Sequence, residues 1–159
     1  MSDVDAASRD VVELEEAEDV FRSSVLRFAG YANEVGEAFR PVAPLAFVRA
    51  TYAVAVSYAS AHAATKAAAA DEGERAAAAG ETLLWQALAS VVLPSLVINR
   101  SVWATRKLLA PMPAVGTLAR VRGFAPTAVG LALIPAIVGP LDAVTDAVMD
   151  HARAALRKD

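Results

Sequence analysis

The sequence contains no cysteine. That excludes disulfides, thiolate metal sites and a cysteine nucleophile, and it leaves the compartment open. Aromatic residues are scarce at 6%, so the 56% hydrophobic content rests on Ala, Val and Leu. No GxxxxGK[ST] or GxGxxG phosphate loop occurs, and no Ser and His stand in a nucleophile setting. His62 and His151 have no ligand partners at helical spacing and read as ordinary residues rather than metal ligands. Nothing points to nucleic acid or to a cofactor. Acids are missing from Arg100 to Arg122, where the charges are Arg100, Arg106, Lys107, Arg120 and Arg122. Up to residue 20 the balance is reversed: Asp3, Asp5, Asp10, Glu13, Glu15, Glu16, Glu18 and Asp19 face only Arg9. Such a start is unlike an Arg-rich transit peptide, and it has no apolar core of a signal peptide. Any organelle signal is expected to be internal or already removed.

What the chain does have is long uncharged runs. Its 159 residues suit one domain, and its mean hydropathy is +0.40. Residues 82–99 carry no charge and are closed by Arg100, with Trp85 near one end and Pro94 inside. Residues 123–141 are likewise uncharged, bounded by Arg122 and Asp142, with Pro135 and Pro140 inside. Both reach the ~18 apolar residues of a spanning helix. Residues 42–63 form a weaker candidate because Arg49 lies within it. Too little outer shell remains for a soluble bundle to bury three such helices, so a membrane is expected to cover them.

The flanking segments read as helices as well. Residues 8–40 suggest an amphipathic helix capped by Ser8, with Leu14, Phe21, Val25 and Phe28 on its apolar face. Residues 64–81 suggest an Ala-rich helical extension around a turn at Gly73. Ser101–Ala110 suggests an interfacial helix, and Asp142–Lys158 a short amphipathic one. The positive-inside rule places the basic 100–122 loop in the matrix or cytoplasm. With three spans the N-terminus lies on that same side, and the C-terminus lies opposite.

Few polar groups suggest a site. Arg27, Glu34, Glu37 and Arg40 fall on one helical stripe, which is either a partner-docking or proton-handling surface or a solvated face with weak pairs. Gln86 and Asn99 in the second span suggest an interhelical hydrogen bond and a helix-end anchor. Small-residue seams, Ala53-Ser57-Ala61 and Ala128-Ala132-Ala136, permit close helix packing.

Three ordered blocks carry a resemblance: RFAGYANEVGEAFR at 27–40, WQALASVVLPSLVINR at 85–100 and TAVGLALIPAIVGPLD at 127–142. Together they resemble the signatures of the mitochondrial fission process protein 1 family. The acidic head and the loop at 64–81 do not match. The chain also departs from the family pattern at Arg49, where the family carries an apolar residue, and at Gly139. The resemblance implies an integral protein of the mitochondrial inner membrane that supports fission and membrane morphology, with no enzymatic reaction. The motif residues it marks for structural or partner contact are Arg27, Tyr31, Asn33, Glu34, Gly36, Glu37, Arg40, Trp85, Gln86, Pro94, Asn99, Arg100, Pro135, Pro140 and Asp142.

The expectation is therefore an all-α, polytopic membrane helical bundle with an N-terminal amphipathic helix. Its parts are an acidic arm at 1–24, a membrane domain at 25–150 and a tail at 151–159. Expected partners are the lipid bilayer, with anionic lipid at 100–122, and other inner-membrane proteins. Two other readings are an accessory subunit of a respiratory complex or the ATP synthase, and a small transporter or channel.

Overall fold

Ala-rich stretches separated by short turns favour helix, and every regular element among the described residues is helical. The structure is a computed structural model that describes residues 19–40 and 43–156. The chain opens with a single turn, α1 (Val20–Ser23), capped by Asp19, whose Oδ1 accepts the Phe21 N–H at 3.2 Å. Ser24 is extended and caps a 3₁₀ helix, Val25–Tyr31, by accepting the Leu26 N–H. This runs into α2 (Ala32–Phe39). The sequence suggests one helix over 8–40, but the described part of it is broken at Ser24, where the local cap competes with continuation. Ser8 and most of the acidic arm lie outside the described residues.

Three long helical stretches follow: α3 (Leu45–Ala69), a continuous stretch from Arg75 to Leu109, and α6 (Gly116–Leu156). The middle stretch consists of α4 (Arg75–Gln86), a π-helical segment (Ala87–Val92) and α5 (Leu93–Leu109). Pro94 explains the π segment. Its ring clashes with an α-helical carbonyl four residues back, and a widened turn relieves the clash. Accordingly the Leu93 N–H bonds to the Leu88 carbonyl, five residues back. Pro126, Pro135 and Pro140 all lie inside α6 without ending it.

The uncharged runs at 82–99 and 123–141 are thus the centres of longer helices. The interfacial helix expected at Ser101–Ala110 is the end of α5, and the one expected from Asp142 is the end of α6. A charge closes a hydrophobic window, but it does not break a helix. Among the described residues, two helices, Arg75–Leu109 and Gly116–Ala155, are long and apolar enough to cross a membrane. The expected third apolar span is helical, but α3 is not among them. Arg49, Tyr52, Tyr58, His62 and Lys66 dilute its hydropathy.

The segment from Asp19 to Arg40 is not an appendage. It lies antiparallel along α3, with Asp19 beside Lys66, Phe21 beside His62 and Phe39 beside Phe47. It also touches α5 and α6, and Tyr31, Ile98 and Ile134 form the central apolar cluster. Gly36 permits its closest approach. A Cβ there would lie 1.9 Å from Thr51 Oγ1, which is itself fixed by donating to the Val48 carbonyl. Gly36→Ala is expected to lower stability by about 1–3 kcal/mol. Adding Thr51→Ala should restore most of that loss, as measured by thermal unfolding in detergent. An undiminished loss in the double variant would mean that another contact is limiting.

The distribution of polarity is inverted. Arg27, Asn33, Glu34, His62, Gln86, Ser90 and Thr145 are buried, whereas Phe47, Val56, Leu84, Leu96, Trp103, Phe124 and Val148 are exposed.

Candidate functional site

Pro94 creates the first requirement of the site. In a regular helix the Ala89 carbonyl would accept the Leu93 N–H, but that donor is directed to Leu88. The next candidate in a π turn is Pro94, which has no N–H. The carbonyl is left without an intrahelical donor inside the bundle, where an unpaired polar group is costly. Arg27 supplies the donor: its Nη2 lies 3.2 Å from the Ala89 carbonyl oxygen.

The rest of the Arg27 guanidinium is also matched. Nε donates to Asp142 Oδ2 at 2.8 Å, Nη2 donates to Oδ1 at 2.6 Å, and Nη1 donates to Ser90 Oγ at 2.9 Å. The bidentate fork ties the N-terminal segment to α6, and its other contacts reach the π segment. Only 2% of Arg27 is exposed. Its cationic face lies over the rings of Tyr31 and Trp85, at 4.9 and 5.0 Å. Gly30 leaves the space for this head group: a Cβ there would meet Arg27, Ser90 and Tyr58 all within 2.9 Å.

From Ser90 a directed chain of hydrogen bonds continues. Ser90 accepts from Arg27, so its hydroxyl donates to Gln86 Oε1 at 2.6 Å. The Gln86 amide nitrogen then faces His62 Nδ1 at 2.8 Å. An amide nitrogen only donates, so Nδ1 accepts and the Nε2–H points to Asp19 Oδ2 at 2.9 Å. His62 is fixed as the Nε2–H tautomer, stacked on Phe21 at 4.9 Å. Lys66 completes the Asp19 pairing at 2.9 Å. Beside this chain, Arg22 pairs with Asp146 at 2.5 Å, and Trp85 Nε1 donates to the same carboxylate at 2.8 Å.

A second polar group joins α2 to α5. Glu34 Oε1 accepts from Asn33 Nδ2 at 3.0 Å and from the Ser95 hydroxyl. Glu34 is therefore an interior residue and not part of a solvated stripe with Glu37 and Arg40. Glu37 and Arg40 form a bidentate pair at 2.5–2.6 Å on the surface, joined by the Tyr52 hydroxyl at 2.8 Å.

The motif residues therefore separate into groups. Arg27, Tyr31, Trp85, Gln86 and Asp142 converge, with Pro94 acting from behind them. Asn33, Glu34 and Gly36 line the α2 contacts. Asn99 and Arg100 lie exposed at the end of the uncharged run, and Pro135 and Pro140 lie on the outer face of α6. Sequence reasoning missed Asp19, Arg22, Tyr58, His62, Ser90 and Asp146. One signal was available: Asp142 and Asp146 are four residues apart, so they share a face of an otherwise apolar helix and call for two cations. His62 offered none beyond its helical spacing from Tyr58.

The chemistry these groups offer is pairing and fastening. Arg22, Arg27 and Trp85 each donate to an acceptor on another element, and among the described residues no nucleophile is set against a base; the buried Tyr31 hydroxyl is left without a partner there.

Comparison with known proteins agrees with the three sequence blocks. The chain matches the profile of the family described as Mitochondrial 18 KDa protein (MTP18) over residues 16–81 and 59–149. It is 42% identical over 146 residues to mitochondrial fission process protein 1 of Danio rerio, covering 83% of this chain and 84% of that one. The Homo sapiens protein of the same name is 41% identical over 145 residues, with the same coverage. The Caenorhabditis elegans protein is 37% identical over 142 residues, again covering 83% and 84%. No solved structure matches. On the profile match and these identities, the chain belongs to the mitochondrial fission process protein 1 family.

Proposed function

We propose that this chain is a non-enzymatic integral protein of the mitochondrial inner membrane that supports fission and membrane morphology, and that the segment from Asp19 to Arg40 crosses the bilayer with α3, α4–α5 and α6. The inverted polarity carries this reading. Lipid has no hydrogen bonds to offer, so polar groups turn inward and pair while Val, Leu and Phe turn outward. The relatives' names supply the fission role.

Lengths support the crossing. Arg22 pairs with Asp146, and the Thr127 hydroxyl donates to the Ala38 carbonyl. Between Thr127 and Asp146 α6 rises about 28 Å, close to the ~30 Å of a hydrocarbon core. The N-terminal segment covers the same span. Four crossings put Asp19 and the end of α6 on one side, unlike the three-span reading. Arg40, Arg49, Arg100, Arg106, Lys107, Arg120 and Arg122 collect at the opposite end, which faces the matrix by the positive-inside rule.

The cysteine-free sequence makes the test direct. Single variants Val20→Cys, Gly73→Cys and Val115→Cys are treated with an impermeant maleimide in mitoplasts. Val20→Cys and Gly73→Cys should label from outside, and Val115→Cys only after permeabilisation. If Val20→Cys labels like Val115→Cys, the N-terminal segment does not cross. Release by alkaline carbonate would remove the integral reading. An unchanged mitochondrial network after loss of the chain would remove the fission role, since reduced fission should elongate it.

A further inference from the structure

The basic end holds a cavity that the polar cluster does not use. It opens between α2, α5 and α6 with a volume of about 260 Å³. Ile98 and Val102 form its apolar floor, and Asn99, Trp103 and Arg106 stand at its mouth. Arg40 also reaches it but is occupied by Glu37. Arg106 is exposed and makes no salt bridge among the described residues. The Asn99 side chain has no hydrogen-bond partner among them either, so a cation and an amide face the same opening. Across the ridge of Asn99 and Trp103 lies a groove of about 460 Å³, lined by Val92 and Leu96 and flanked by Arg100. It runs along α5 into the uncharged run.

We propose that this end of the protein binds an anionic phospholipid, with its phosphodiester at Arg106 and Asn99 and an acyl chain along Val92 and Leu96. The inference rests on the membrane reading above. Charge selects the ligand: Arg106 lines the opening, Arg100 flanks the adjoining groove, Lys107 Nζ lies 5.9 Å from the Trp103 ring centre, and Glu37 is already neutralised by Arg40. Shape selects a lipid over a soluble anion, because an apolar groove adjoins the polar mouth across Asn99 and Trp103. Trp103 is 57% exposed, and its amphipathic ring suits the headgroup level.

The test uses the full chain reconstituted into nanodiscs of phosphatidylcholine with increasing phosphatidylglycerol carrying brominated chains. Quenching of Trp103 fluorescence is read in a Trp85→Phe background. Quenching should saturate at low phosphatidylglycerol content, and inorganic phosphate should not compete. Arg106→Gln should weaken binding about tenfold, the usual weight of one charge-assisted hydrogen bond. Arg120→Gln removes the same charge away from the cavity and should leave binding unchanged. Equal loss in both variants means diffuse attraction and overturns the site. Competition by inorganic phosphate overturns the lipid assignment. Saturation only in the presence of a co-purifying protein assigns the cavity to a protein partner and overturns the proposal. Failure to enter nanodiscs overturns the membrane reading itself, whereas entry without lipid preference overturns only the site. A Trp85→Phe background that does not fold is replaced by native mass spectrometry of the unaltered chain and its Arg106→Gln variant.

Discussion

Replacing Arg27 by Met should destabilise the fold by about 3–5 kcal/mol, the usual cost of stranding one member of a buried ion pair. The stranded member is Asp142, whose carboxylate has Arg27 as its bidentate partner. The Ala89 carbonyl and Ser90 also lose their donor. Asp142→Leu added to Arg27→Met removes the uncompensated charge, and the double variant should be more stable than Arg27→Met alone. Stability is read as the midpoint of helix loss on heating in detergent. If Arg27→Met unfolds within a degree or so of the parent chain, the pair is not what fastens the N-terminal segment. Should the single variant fail to accumulate, the double variant still decides the matter, because it keeps the volume and lacks the charge.

Gly30→Ala has the next largest expected effect, about 3 kcal/mol, combining overpacking with a weakened charge-assisted hydrogen bond. The new methyl would lie 2.7 Å from Arg27 Nη1, 2.8 Å from Ser90 Oγ and 2.9 Å from Tyr58 Cε1. None of the three can easily retreat. Arg27 is held by Asp142, Ser90 by Gln86, and Tyr58 by its hydroxyl on the Phe21 carbonyl. Gly80 is the matching control, since nothing lies within 4 Å of its added Cβ. Gly80→Ala should gain about 0.5–1 kcal/mol from helix propensity alone. Equal effects at the two positions would mean that helix propensity, not the space around Arg27, governs Gly30.

The same residues show what the sequence could and could not reveal. The apolar centres at 82–99 and 123–141 were legible because they need no partner to be recognised. The helix ends were not, since Arg100 and Asp142 end an uncharged run while the backbone ladder continues. The packing of the N-terminal segment into the bundle was not legible for a deeper reason. Hydropathy counts Arg27, Asn33 and Glu34 at the cost of unpaired groups. Arg27 avoids that cost through a carboxylate 115 positions away, and no local window contains both. Pro94 was legible as a disturbance, but its consequence was not. The freed carbonyl belongs to Ala89, and the group that answers it comes from another element. Arg27 opens the first family block and Asp142 closes the third, so the blocks contain both ends of this pair.

Under the proposed four-crossing arrangement, the polar face of the N-terminal segment also sets an order of assembly. The segment from Asp19 to Arg40 has too few apolar groups to enter a bilayer alone, and its arginine would be stranded there. The two apolar helices would insert first and present Asp142, the Ala89 carbonyl and Ser90 as a prepared cleft. Only then would inward movement of the segment become downhill. In that arrangement a lesion in the Arg27 fork lengthens the wait outside the bilayer, so it is expected to shorten the protein's lifetime before it alters the finished shape.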